Sequence, residues 1–487
     1  MSAPFTHFAW RTTTRLWQNN RVSESDDAAA APIDSRVLCL LQRHGREATS
    51  FQILEPGLTY WFFDDDEGVL AYTDLGSAWV TAGEPVCAPE RMAELVARFV
   101  EVAERADRRV RFFHVRGEFA PLVGLAHTHV GELPTWDPRA WASTLASARS
   151  LREQLRRARN KGVTTRAVDG AQMEDGASPL RARCDSLVAR WLGKKGMGEL
   201  KFMVRVHPYG FARERRYVVA ERAGQLIGLA VAIPIYQRNG WFIEDLLRDD
   251  SAPNGTAELL VDTLMQEFAR EGSHYATLGL APLAGELRPL LALTRNYTTR
   301  LYNFPGVRSF KEKLRPKQWE AVYLAYPRGE LGFLAMRDAL VAFAPDGLLR
   351  FGLETLVHQR TLATFVLASL LVPWTLALSL VDTSAGARTW FPSATIQYAW
   401  ATFDLVLVGL MLSLVRRWRA RVATLVVLLT TLDAVLTAVQ VLLWNVWTAR
   451  TLLAWCLVLL GTAGPLLAAT FFWSTRVVAM EGRRLRR

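Results

Sequence analysis

From Thr361 onward the chain carries four long apolar runs, and no other feature restricts its possible folds as much. They are Thr361–Val381, Tyr398–Val415, Ala423–Trp447 and Leu452–Trp473. Each holds about 18–25 residues, the length a helix needs to cross a bilayer. Backbone surrounded by lipid must satisfy its own hydrogen bonds, so the runs are expected as helices. The connection after the second run carries Arg416, Arg417, Arg419 and Arg421, and the tail carries Arg483, Arg484, Arg486 and Arg487. The other two connections hold one arginine each, Arg388 and Arg450. The positive-inside rule then places the preceding soluble part, the arginine-rich connection and the tail in the cytoplasm, and an even number of spans agrees. The expectation is a multi-pass protein of the inner (cytoplasmic) membrane, with a four-helix region over 361–475 and a basic tail over 476–487. Asp404 and Asp433 lie inside the runs. Each would cost about 2.5–3.5 kcal/mol facing lipid, so both are expected to face the bundle interior.

The remaining three quarters are far more polar. The 487 residues carry a formal net charge of +11, which suits an anionic partner such as nucleic acid or anionic lipid. The four cysteines, Cys39, Cys87, Cys184 and Cys456, are scattered. They form neither a disulfide framework nor a metal-type spacing, which fits a reducing compartment. The N-terminus lacks the apolar run of a signal peptide. Residues 1–37 read as a flexible lead that includes the low-complexity run Ser23–Pro32.

Short strands and helices follow. Thr59–Phe63, Gly68–Tyr72 and Ala78–Thr81 are rich in aromatic and β-branched residues and read as strands. Pro89–Ala106 reads as an amphipathic helix and Val110–Val115 as the next strand. Strands alternating with helices predict an α/β or α+β domain over 38–146. A basic helix connects it, within 147–165, to a second domain over 166–330. In that helix Arg149, Arg152, Arg156 and Arg159 share one face, and Leu151, Leu155 and Ala158 share another. The arginine stripe is either a solvated face or a surface that tracks the phosphates of tRNA or lipid head groups. Residues 331–360 read as a linker.

The second domain is organised around Trp241–Gly285, read as strand, polar turn, helix and strand. Leu260, Leu264 and Phe268 recur at helical spacing, so that face is expected on a sheet. Asn254 or Thr256 is expected to cap the helix, whose free N–H groups favour an anion or a developing oxyanion. The first strand would deliver Asp245 and Arg248 to its end, as a reactive pair or as a structural ion pair. Asn254-Gly255 alone is also an ordinary turn, and Glu199 alone is also an ordinary surface charge.

Several chemistries lack their parts. The sequence has no P-loop, no His-Glu-x-x-His or paired-cysteine spacing and no Gly-x-Ser-x-Gly elbow. The turn after Arg248 lacks the glycine-rich spacing expected of an acyl-coenzyme A loop. Neither a metal nor a cofactor is expected.

Residues 40–330 resemble the synthase domain of the phosphatidylglycerol lysyltransferase (multiple peptide resistance factor) family. The resemblance is carried by Glu199-Leu-Lys-Phe202, Asp245-Leu-Leu-Arg248, Ala252-Pro-Asn-Gly-Thr256, Leu278–Gly285, Tyr302-Asn-Phe to Lys311-Glu-Lys313, Trp319 and Tyr323–Pro327. It implies two tandem acetyltransferase-like (GNAT) folds, here followed by an all-α transmembrane bundle. It also implies transfer of an aminoacyl group, typically lysyl, from aminoacyl-tRNA to a lipid hydroxyl, typically of phosphatidylglycerol. On that reading Asp245 and Glu199 bind the cationic amino acid or help deprotonate the hydroxyl. Arg248 holds phosphate or the ester carbonyl, and Asn254, Gly255 and Thr256 shape the helix-terminus site. Arg308, Lys311 and Lys313 hold the lipid phosphate or the tRNA end. Two departures stand out. In the family the membrane part precedes the synthase and is larger, so here anchoring beside the lipid is the simpler role. Asp249 and Asp250 follow Arg248 where a basic continuation is expected, which leaves alanyl or other aminoacyl groups, or another lipid, as alternatives. A non-catalytic membrane protein that binds RNA or anionic lipid is the rival of another class.

Overall fold

The computed structural model describes residues 27–64, 67–193, 202–282, 304–344, 360–380 and 391–484. The chain divides into two compact units, Met1–Gly193 with Leu200–Pro345 and Lys194–Glu199 with Asp346–Arg487.

The first unit is built on one 13-stranded sheet. Its first half contributes β1 (Thr59–Phe63), β2 (Gly68–Asp74), β3 (Ala78–Ala82), β4 (Val86–Cys87), β5 (Arg109–Arg116) and β6 (Ala126–Trp136). The second half contributes β7 (Thr164–Val168), β8 (Arg216–Arg222), β9 (Gln225–Ile235), β10 (Gly240–Arg248), β11 (Tyr275–Thr277) and β12 (Ala281–Pro282), with β13 (Gln318–Tyr326) last. The helices are α1 (Asp27–His44), α2 (Met92–Arg105), α3 (Arg149–Asn160), α4 (Pro179–Leu192), α5 (Thr256–Arg270), α6 (Phe304–Lys313) and α7 (Gly332–Phe343), besides shorter turns.

The main path is β1-β2-β3-β5-β13-β6-β11-β10-β9-β8-β7. The last strand therefore returns to the first half and lies between β5 and β6, antiparallel to both. Strand β6 also pairs with β11, which joins the halves edge to edge. The two domains expected over 38–146 and 166–330 thus share one sheet, and the strand at 318–326 belongs to the earlier half by pairing. Each half contains one parallel pair, β3 with β5 and β10 with β11, spanned by α2 and α5 respectively.

The packing follows the apolar periodicity. Leu260, Leu264 and Phe268 of α5 are buried as expected, and Phe268 stacks on Trp241 with centroids 5.5 Å apart. Leu151, Leu155 and Ala158 turn the apolar side of α3 inward.

Within two segments expected to be loose, the described residues form helices. The lead was placed at 1–37, but α1 starts at Asp27 and buries Val37, Leu40 and Leu41 completely. The linker was placed at 331–360, but α7 occupies 332–343 and buries Ala335, Asp338, Ala339 and Ala342. Both helices cover apolar sheet surface that would otherwise meet water.

The second unit contains α8 (Arg360–Leu380), α9 (Ala394–Arg416), α10 (Ala420–Gln440) and α11 (Leu452–Arg484). Among the described residues, three segments are long and apolar enough to cross a membrane: Ala394–Arg416, Ala420–Thr448 and Ala454–Arg476. This corrects the expected four. The run Thr361–Val381 falls on α8, where the apolar stretch Ala363–Ala377 is shorter and contains Pro373. The even-number support for the orientation goes with it. Asp404 and Asp433 are buried among the helices, as expected. Thr375 Oγ1 donates to Asp404 Oδ2 at 3.1 Å and Thr437 Oγ1 to Asp433 Oδ1 at 3.3 Å.

Candidate active site at the β10 bulge

Strands β10 and β11 pair only over Gly240–Phe242 and Tyr275–Thr277. Just beyond, the register of β10 against β9 shifts between Ile243 and Asp245, so Glu244 is an extra residue. A bulge of this kind breaks the alternation of side chains and re-aims them. Glu244 and Asp245 both act on one buried carboxyl, that of Glu55. The bulge therefore turns two consecutive acids towards the same interior.

That interior draws on both halves of the sheet. Arg215 Nη1 pairs with Glu244 Oε2 at 2.5 Å, and its Nε donates to the Gly210 carbonyl at 2.6 Å. Gln52 Nε2 donates to Glu244 Oε1 at 2.9 Å and to the Met203 carbonyl at 3.1 Å. Gln52, Glu55, Arg215 and Asp245 are all buried. Among the described residues, the carboxyl groups of Glu55, Glu244 and Asp245 thus gather near the Arg215 guanidinium away from bulk water. Burial, and then the neighbouring Glu244, hold Glu55 well above the usual carboxylate range.

Lys311 is the second unusual group. It is 6% exposed, and Nζ donates to the carbonyls of Gly279 at 2.7 Å and Leu280 at 2.9 Å, in the chain leaving β11. Burial pushes its ammonium down to about 7. Close approach fixes that loop: a β-carbon on Gly279, whose φ is +74°, would sit 2.7 Å from the Phe242 ring. His114 lies at a register shift between β5 and β13, with a left-handed φ of 64°. Its Nδ1 is 3.4 Å from Thr49 Oγ1. Burial, reinforced by Lys311, lowers it to about 4.

The other expected site residues scatter. Asp245 lies opposite Val231 and Arg248 opposite Gly228. Val231 packs in the cluster with Leu187 of α4, whereas a β-carbon on Gly228 would meet Leu260 of α5. Arg248, exposed at the strand end, therefore leaves the face opposite Asp245, as three-residue spacing in a strand requires. The expected meeting of this carboxylate with this guanidinium is corrected accordingly. Glu199 lies outside the described residues.

The expected cap is also corrected. Gly255 is the residue before the first turn of α5, and no side chain caps it. Asn254 is exposed, and the hydroxyl of fully buried Thr256 donates back to the Pro253 carbonyl at 2.7 Å. Gly255 has φ +96°, and a β-carbon there would sit 2.4 Å from the Gln154 carbonyl oxygen of α3. The start of α5 is thus pressed against α3 rather than left open to an anion.

On the arginine stripe, Arg159 is bound to buried Asp262 at 2.8 Å, which also accepts from Trp141 Nε1 at 2.9 Å. Arg156 pairs with Glu153 at 2.8 Å, Arg152 donates to the Leu145 and Ala146 carbonyls, and Arg149 is exposed. Arg308, Lys311 and Lys313 do not form one cluster. Arg308 pairs with Glu132 and Glu312 over the Trp319 ring, Lys311 points inward and Lys313 is exposed.

Sequence reasoning missed Gln52, Glu55, Arg215, Glu244 and His114. The one visible signal was the doublet Glu244-Asp245 inside an otherwise apolar strand. A further cavity of about 240 Å3 is lined by Arg43, His44, Glu47, Glu84 and Arg116 among others. Its Arg116 is already paired with Glu47 at 2.7 Å, Glu84 at 2.9 Å and Glu118 at 2.5 Å.

A pair of βαβ-containing halves in one sheet, splayed at a bulged strand, is the tandem acetyltransferase-like (GNAT) architecture, here with a bundle of apolar helices after it. The chain belongs to the family "Phosphatidylglycerol lysyltransferase, C-terminal", which matches residues 39–326. A phosphatidylglycerol lysyltransferase of Bacillus subtilis is 24% identical over 304 residues, which are 60% of this chain and 35% of that protein. Among solved structures, the C-terminal domain (DUF2156) of a candidate lysylphosphatidylglycerol synthetase from Agrobacterium fabrum is 25% identical, with a TM-score of 0.55 over 64% of this chain and 96% of that one. L-PGS from Bacillus licheniformis has the same fold at 20% identity and a TM-score of 0.55, over 63% and 96%. This chain spans about a third of the length of the curated relatives it matches, 35% and 36% in two cases.

Proposed function

We propose that this protein transfers an aminoacyl group from aminoacyl-tRNA to a hydroxyl of an anionic membrane lipid, lysyl to phosphatidylglycerol being the best-supported pair. One observation carries the reading: the carboxyl groups of Glu55, Glu244 and Asp245 gather with Arg215 in a buried site at the β10 bulge. Clustered carboxyl groups of this kind suit a cationic aminoacyl group.

The chemistry needs no nucleotide, because the tRNA ester is already activated. The lipid hydroxyl oxygen forms a bond to the ester carbonyl carbon, and the bond from that carbon to the ribose oxygen breaks. Lys311, as a neutral amine, takes the hydroxyl proton and returns one to the departing ribose oxygen. Glu244, Asp245 and Glu55 hold the substrate ammonium. Exposed Arg248 and the stripe Arg149, Arg152 and Arg156 meet tRNA phosphates, and Lys313 with Arg308 meets lipid phosphate. Asn254, Gly255 and Thr256 fix the α3–α5 contact that carries the stripe. Aminoacyl-tRNA is made in the cytoplasm, so on this reading the soluble unit faces the cytoplasm at the inner membrane. There the helices anchor the enzyme beside its lipid. Adding lysine would make the membrane surface less negative and weaken cationic-peptide binding.

The full chain in phosphatidylglycerol vesicles, given radiolabelled lysyl-tRNA, should move label into the lipid phase, and ribonuclease pretreatment should stop it. Binding without transfer, across a panel of aminoacyl-tRNAs and lipids, would replace this reading with that of a non-catalytic binding protein. Glu55→Gln should lower kcat/KM for lysyl transfer at least tenfold relative to alanyl transfer. An unchanged ratio would remove Glu55 from cation recognition.

A further inference from the structure

Seven large apolar side chains stand exposed among the described residues of the first unit, and three of them lie within ten residues: Leu331 at 56%, Phe333 at 59% and Leu340 at 48%. Isolated exposed apolar residues are ordinary, but a cluster on one face is not. Phe333, Arg337 and Leu340 have the i, i+4, i+7 spacing of one helical stripe on α7, with Leu331 just before it. All four side chains are exposed, and Arg337 has no ion-pair partner among the described residues.

The opposite face of α7 is held firmly. Asp338 accepts from fully buried Arg111 at 3.1 Å and from Arg109 at 3.2 Å. Phe343 packs edge-on against Phe113 and Phe202, with centroids 5.2 Å and 5.5 Å apart. A buried ion pair stabilises little on balance, but it sets orientation. Here it sets which way the apolar stripe points.

We propose that this stripe is a membrane-docking surface: α7 lies in the bilayer interface, with Leu331, Phe333 and Leu340 among the acyl chains and Arg337 at the phosphates of anionic lipid. The proposal rests on the membrane location given above, though not on the chemistry. Three observations commit it to a lipid surface. An apolar stripe interrupted by an arginine is the pattern of an interfacial helix, because the guanidinium reaches back to the head groups while its stem stays apolar. Only 16 residues separate Phe343 from Arg360, where the first apolar helix begins. Their sequence includes Leu348, Leu349, Phe351, Leu353, Leu356 and Val357, a composition that suits a membrane surface as well. The net charge of +11 adds attraction to anionic lipid.

The test uses the full chain with its cysteines replaced, reconstituted in vesicles of phosphatidylglycerol and phosphatidylcholine. An environment-sensitive fluorophore is placed at Phe333→Cys, Leu340→Cys or, as a water-facing control, Arg213→Cys. Labels at 333 and 340 should shift to the blue and be quenched by lipids carrying a spin label near the head group. The label at 213 should do neither. Quenching should weaken at least twofold at 333 when phosphatidylglycerol is omitted. Water-like emission at 333 and 340 would overturn the proposal. So would a blue shift that depends on protein density and is not quenched by the lipids, since a second copy would then cover the face. This optical readout is independent of aminoacyl transfer, so the two readings can fail separately.

Discussion

Lys311→Met is expected to lower aminoacyl transfer by about a thousandfold and at the same time to make the protein more stable at neutral pH. The two effects share one cause. Among the described residues the buried Lys311 ammonium donates to two backbone carbonyls. Its proton affinity falls from the ordinary 10.5 to about 7. Below about pH 7 both the folded and the unfolded chain carry the proton, and the folded chain bears the full cost of burying the charge. Between about 7 and 10.5 the folded chain releases the proton while the unfolded chain keeps it, so stability climbs with pH. Removing the lysine removes a penalty on the order of 2–4 kcal/mol at pH 7, and the gain fades as the pH approaches 10. As a base, the group works only when neutral. Transfer in the unaltered enzyme should therefore rise with slope one up to about pH 7 and level off above it. Thermal unfolding at pH 6.5 and pH 9.5, measured alongside a pH–rate profile, decides the matter. Full activity in Lys311→Met, or a flat profile from pH 6 to 8, would take the proton-transfer role from Lys311.

Asp338→Ala should destabilise the soluble unit by about 3–5 kcal/mol, because it strips a partner from a guanidinium with no exposed surface. Arg111 keeps the Glu330 carboxylate at 2.5 Å and the Val110 carbonyl at 2.8 Å, but Arg109 and α7 lose their anchor. The double variant Arg111→Met with Asp338→Leu should cost far less than Asp338→Ala, since both buried charges go together. Chemical unfolding of the full chain in detergent, followed by tryptophan emission, gives the comparison. If the double variant is as unstable as the single one, the ion pair is not what holds α7 against β5.

Much of the local structure was legible in the residues. The strands at 59–63, 68–74, 78–82, 109–116 and 240–248 and the helices at 149–160 and 256–270 appear where apolar periodicity put them. Strand β6 was not legible, although it lies at the centre of the sheet. Its run Ala126–Trp136 contains Gly131 and Pro134, which read as breakers. It persists because β13 and β11 or β12 pair along its sides, and tertiary pairing overrides local preference.

The candidate site divides along the same line. Asp245 and Lys311 were visible as charged residues in motif-like runs, and the acid doublet was visible in the strand. Their meaning was not. One inserted residue at Glu244 turns two neighbouring acids to one side, and strand alternation sends Arg248 to the other. Gln52 and Arg215 meet Glu244 from 192 and 29 residues away. Burial, not residue type, separates Lys311 from Lys313. The first turn of α5 offered a cap in sequence, yet Gly255 lets α3 close over it. The residue string by itself determined the helices, most strands, the apolar C-terminal quarter and the family, because periodicity and chain-local motifs are properties of neighbouring residues. The tertiary structure alone decided the swapped last strand, the bulge, the buried charges and the outward stripe of α7, because each depends on which distant segment removes a group from water.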